Sequence, residues 1–121
     1  MRIESLHGVE AFTTLDGSTI REVAGPATGN AANQSLAEAT LPPAGATTEH
    51  LHRITEEVYL FTHGSGRMRL GQDERDVSPG DAVVIPPGVR HKVWNTGPDP
   101  LRLLCVCAPA YSDEDTVLTE E

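Results

Sequence analysis

The chain has 121 residues and a formal net charge of −9, with one lysine, Lys92, beside eight arginines. Nucleic acid and anionic membranes call for a basic patch that this balance does not supply, so neither is expected as a partner. No run approaches the roughly 20 apolar residues that cross a bilayer, and residues 1–7 lack the apolar stretch of a signal peptide. The expectation is a cytoplasmic protein with residues 1–121 as one domain.

Nine prolines and 11 glycines punctuate the chain and favour short strands over long helices. Residues 12–15 and 18–23 are β-prone runs around Asp16 and Gly17, a hairpin signal. Residues 24–30 read as loop. Residues 34–41 alternate well enough for a strand, although the alanines leave a helix open; Pro42 and Pro43 stop either one. Residues 50–61 read as a strand, a bend and a second strand. Short strands follow at 67–70, 75–77, 82–85 and 91–94, separated by glycine- and proline-rich turns, and 101–108 is the longest apolar strand. About ten strands at roughly 8–12-residue spacing indicate an all-β barrel or sandwich. The tail, 112–121, carries five of the 18 acids and is expected to be a solvated end. Cys105 and Cys107 share one strand face, where a mutual disulfide is poorly placed; they read as buried structural thiols.

The chemistry concentrates between Gly45 and Asn95. His50 and His52, two apart on a strand, put both imidazoles on one side of the sheet. A carboxylate arriving after the bend can join them, with Glu57 the candidate and Glu56 its competitor. His91 comes from the second half. Three neutral nitrogens and one hard oxygen suit a divalent Mn, Fe, Co, Ni or Zn ion, with open positions for water or substrate.

The frame around these residues resembles the two motifs of the cupin superfamily. Gly45, His50, His52, Glu57 and Gly64 follow the first motif, with Gly45 one residue nearer to His50 than usual. Gly80, Pro86, Gly88, His91 and Asn95 follow the second without departure. The resemblance covers residues 34–108. It implies a double-stranded β-helix, or jelly-roll barrel, with His50, His52, Glu57 and His91 as metal ligands. The six residues between Glu57 and Gly64 favour Glu57 over Glu56. Small cupins of this type include dioxygenases, decarboxylases, sugar isomerases, lyases and polyketide cyclases, and many pair as homodimers through N-terminal strands, here residues 9–23.

Tyr59 and Phe61 share parity with Glu57 and should face the interior, Tyr59 as core aromatic or as pocket donor. Gln34 becomes a substrate contact if its face of the strand is inward; otherwise Gln34 and Glu38 are surface. Asn95 is expected to cap a turn. His7, His63 and Glu49 read as surface residues, and Trp94 should pack on the far side of its sheet. Arg67 and Arg69 are either solvated edge charges or an anion clamp. The expected function is a metal-dependent enzyme acting on a small oxygenated, carboxylate or sugar-like molecule, with a non-catalytic binding or sensing module as the alternative.

Overall fold

The computed structural model describes residues 1–120. Eleven strands form two antiparallel sheets, with no helix among the described residues. The larger sheet has the order β1 (Phe12–Thr13), β2 (Thr19–Ala24), β3 (Ser35–Leu41), β10 (Leu101–Ala108), β5 (Glu56–His63) and β8 (Ala82–Ile85). The smaller runs β11 (Thr116–Leu118), β4 (His50–His52), β9 (His91–Asn95), β6 (Gly66–Leu70) and β7 (Asp73–Val77). The chain folds as an all-β double-stranded β-helix.

Alternation decides what each strand buries. In β3 the residues Ser35, Ala37, Ala39 and Leu41 point inward, and in β10 so do Leu101, Leu103, Cys105 and Cys107. The open choice at residues 34–41 resolves to strand, because small and apolar side chains fall on one face with a seven-residue pairing to β10. Register then gives the interior two ends. Leu41 pairs with Leu101 and Phe61 with Leu103, and this end holds a packed core with Val93, Met68 and Val77. At the other end Ser35 pairs with Cys107, Cys107 with Glu57, and His50 with His91 across the smaller sheet. Apolar packing anchors one half of the barrel and polar side chains fill the other.

Three expectations are corrected by the fold, and the open reading of Arg67 and Arg69 is decided. Gln34 lies just before β3 and is exposed, because the inward parity begins at Ser35; it is not a pocket residue. The acidic tail is not a free end: β11 pairs antiparallel with β4, setting Thr116 opposite His52 and Leu118 opposite His50. Glu49 is buried, its carboxylate accepting from Arg69 at 2.7 Å and from the Thr119 hydroxyl at 2.8 Å. That contact also removes Arg69 from any anion clamp, while Arg67 is taken up by Glu74 and Asp76 at 3.0 and 2.9 Å. Trp94 faces away from His91, as its parity indicates, under the Arg69 guanidinium at 5.3 Å. Asn95 caps: its amide donates to the carbonyls of Leu41 and Asp99, and its Oδ1 accepts from the Gly97 amide.

Candidate metal centre

Strands β4, β5 and β9 deliver His50, His52, Glu57 and His91 to one point, where one ligand atom from each lies within 4.8 Å of all the others. All four side chains are buried. His52 Nε2, Glu57 Oε1 and His91 Nε2 have no hydrogen-bond partner, although a buried polar atom left alone costs free energy. Glu57 Oε1 is 3.2 Å from His52 Nε2 and 3.6 Å from His91 Nε2, so the atoms aim at a common point rather than at each other. That is the arrangement a divalent cation satisfies.

The far side of each ring fixes which nitrogen faces inward. His50 Nδ1 lies 2.8 Å from the Thr48 carbonyl and His91 Nδ1 lies 3.1 Å from the Val89 carbonyl. A carbonyl only accepts, so both Nδ1 atoms carry the proton. His52 Nδ1 lies 3.1 Å from the Thr116 hydroxyl, whose own proton is given to the Ser112 carbonyl at 2.9 Å. Thr116 therefore accepts from His52. In its neutral form each ring therefore presents the Nε2 lone pair to the shared point, and these outer contacts orient it there. Burial works to raise the Glu57 carboxyl, but hydrogen bonding and charge from His52 and His91, whenever one carries a proton on Nε2, outweigh it and hold the group down to about 2, so a proton in this cluster resides on an imidazole and the carboxyl stays ionised. The Cys107 thiol donates to Glu57 Oε2 at 3.1 Å, leaving Oε1 to face the rings.

A space of about 40 Å³ adjoins this cluster, walled by Tyr59, Ser35, Cys105 and Cys107 and flanked by the partly exposed Phe12 and Tyr111. Tyr59 is buried, its ring 5.8 Å from that of His91 and edge-on to it. Burial first, with Glu57 adding, pushes the Tyr59 hydroxyl and both thiols upward, so all three are neutral and none is a ready nucleophile. Glu56, His7 and His63 are exposed and lie outside the cluster.

Three parts of this site escaped the sequence reading. Cys107 reads as packing in the sequence, and only the pairing of β10 with β5, which sets it opposite Glu57, brings it to the cluster. Tyr111 and Thr116 sit in a tail whose acidity masked a strand. Asp16, read as a turn residue, also lines the pocket, its Oδ2 3.8 Å from His50 Nε2.

The cupin domain family model matches residues 37–107, more than half of the chain. The chain is a cupin. An uncharacterised protein of Methanocaldococcus jannaschii is 41% identical over 112 residues, covering 93% of this cupin and 90% of that protein. Protein SchB of Streptomyces halstedii is 30% identical over 107 residues, covering 87% of this cupin and 78% of SchB. Among solved structures, the nucleoside dehydratase Pac13 of Streptomyces superposes with a TM-score of 0.80 over 99% of this cupin and 92% of that chain. Its identity is 13%, so the likeness speaks for the fold. Pac13 has also been seen with uridine.

Proposed function

We propose that this cupin is a metal-dependent enzyme whose His50, His52, Glu57 and His91 hold one divalent ion and whose substrate is a small oxygenated molecule. The observation that carries this reading is the set of three buried, unpartnered ligand atoms converging beside an accessible space. A divalent ion bound there supplies Lewis-acid polarisation of a coordinated oxygen, or dioxygen chemistry where it is iron or manganese. The chain's own contributions are specific. The three rings are held in one tautomer, Glu57 is kept ionised, and Tyr59 offers a neutral hydroxyl to a ligand in the pocket. A space of about 40 Å³ takes a small coordinated group, with the rest of a larger ligand reaching past Phe12 and Tyr111. With the ion held by these four residues, the site would suit lyase, decarboxylase, isomerase or dioxygenase chemistry on a small oxygenated molecule. Pac13, a dehydratase on the same fold, supports the lyase arm.

Elemental analysis of protein purified without chelators or nickel resin tests this first. About one metal per chain is expected, falling to near zero in His52→Ala and Glu57→Ala while circular dichroism still reports the barrel. Iron or manganese directs the search to oxygen uptake and enediolate substrates, whereas zinc or nickel directs it to lyase and isomerase assays. Metal far below one per chain, with no uptake on addition, sinks the enzyme reading in favour of a binding module.

A further inference from the structure

The side of the cluster facing the pocket has a second carboxylate, fixed as firmly as the ligands themselves. Asp16 lies in the turn between β1 and β2, and its Oδ1 accepts three hydrogen bonds. These come from the Thr14 hydroxyl at 2.6 Å, the Ser18 amide at 3.0 Å and the Ser18 hydroxyl at 2.7 Å. Its main-chain oxygen accepts from the Thr48 amide at 2.7 Å, and the Thr48 carbonyl in turn receives His50 Nδ1. The turn and the imidazole are thus registered against each other through a single residue. Asp16 Oδ2 takes part in none of these bonds and lies 3.8 Å from His50 Nε2. Yet Asp16 is not one of the four residues whose ligand atoms all lie within 4.8 Å of one another. It flanks the metal position instead of completing it.

The rest of the wall gives this placement a chemical meaning. Asp16, Glu22 and Glu57 line the pocket, and no lysine or arginine does among the described residues. A ligand carboxylate or phosphate away from the metal would find no cationic partner there. A hydroxyl or N–H would find an acceptor.

We propose that Asp16 Oδ2 accepts a hydrogen bond from a hydroxyl or N–H group of the molecule bound at the open face of the metal position. It thereby selects hydroxylated ligands that carry no negative charge beyond the one the metal neutralises. The proposal rests on the metal reading above, and the test separates the two.

The probes are azide, which has no hydrogen to donate, and acetohydroxamate, which keeps an N–H when bound. Each is titrated by visible absorption into cobalt(II)-loaded wild type, Asp16→Asn and Asp16→Ala. Both probes are monoanions, so loss of the Asp16 charge tightens both alike, and the ratio of their affinities isolates the hydrogen bond. Cobalt per chain is expected to stay unchanged in both variants. The ratio should move toward azide by about tenfold in Asp16→Ala, the change expected for losing a hydrogen bond to a charged acceptor. A shift of at least about tenfold in the same direction is expected in Asp16→Asn, whose one amide oxygen stays with Thr14 and Ser18 and turns an NH2, a donor, toward the ligand. Should Asp16→Ala fail to fold, Asp16→Asn decides, since it retains an acceptor for Thr14 and Ser18. An unchanged ratio overturns the proposal, and loss of cobalt from Asp16→Asn overturns it in favour of direct ligation. Failure of the wild type itself to take up cobalt overturns the metal reading, and with it the role assigned to Asp16.

Discussion

Asp115→Ala measures how far the C-terminal tail reaches into the metal site. The Asp115 carboxylate accepts from the Ile54 amide at 2.9 Å and from the Thr55 amide at 3.0 Å, while its main-chain oxygen, which the substitution spares, accepts from Arg53. These residues make the turn that joins β4, bearing His52, to β5, bearing Glu57. Thr55 is buried, so its amide would be left without a partner, whereas Ile54 is exposed and water can replace the lost bond. One buried orphan amide and one rehydrated amide cost together about 2 kcal/mol, as the loss of a helix cap does. A chain of this size loses about 3–6 °C of melting temperature per kcal/mol, so calorimetry of metal-free protein at pH 7 should show a fall of about 6–12 °C. The pH dependence carries a definite sign. Desolvation pushes the Asp115 carboxyl up, but the Thr55 and Ile54 amides and the nearby His52 outweigh it, so the group sits below its ordinary 3.8. Its contribution is therefore complete above pH 3.8 and fades as pH falls through the lower folded value. Wild type and variant should converge in strong acid. A gap below about 2 °C at pH 7, or one that widens on acidification, would refute the reasoning.

Three further outcomes are expected of the same structure. Gly64 has φ +85°, and a Cβ there would come within 2.6 Å of the Pro100 carbonyl oxygen, so Gly64→Ala should cost about 2–4 kcal/mol in urea unfolding; a loss under about 1 kcal/mol would deny that strain. Burial, with His91 adding, holds the His50 ring below its ordinary 6.5, so metal-free protein should lose stability as pH drops beneath about 6.5 while the unfolded chain takes up the proton. An unchanged urea midpoint between pH 8 and pH 5, or a slope that persists in His50→Asn, would count against this assignment. Residues 9–23 include β1, a two-residue strand at the edge of the larger sheet with Phe12 exposed; pairing there predicts a dimer by light scattering at micromolar concentration, and a monomer would reject it.

The fold was legible because the strands obey one rule. Residues 82–85 and 101–108 were delimited to the residue, since a run of apolar side chains between proline and glycine turns leaves a strand little freedom in its ends. The segment at 34–41 is ambiguous for a physical reason: its alanines favour a helix while its alternation favours a strand, and only the pairing with β10 and β2 decides between them. The β7 strand began two residues earlier than read, inside what looked like a turn of Gly71, Gln72, Asp73 and Glu74. Its charges sit on an exposed edge strand, where polarity does not argue against pairing.

The site divides along the same line. Its four clustered donors were legible because each lies inside a strand, where parity fixes the side a residue faces. Gln34 failed by one residue of parity, which on a strand is the whole distance between interior and solvent. Asp16, Thr116, Asp115 and Glu49 were misread because their roles come from closure of the barrel. An aspartate before a glycine is a complete local explanation of a hairpin turn, so nothing in the sequence hints that its second oxygen looks into a pocket. Five acids in a tail explain a solvated end equally well, until Lys92 and the main chain of Glu49 meet Glu120 and β4 supplies an unpaired edge. Residues with a sufficient local reason are therefore where a second, distant role stays hidden, and in this cupin they surround the metal position on the sides its strands leave open.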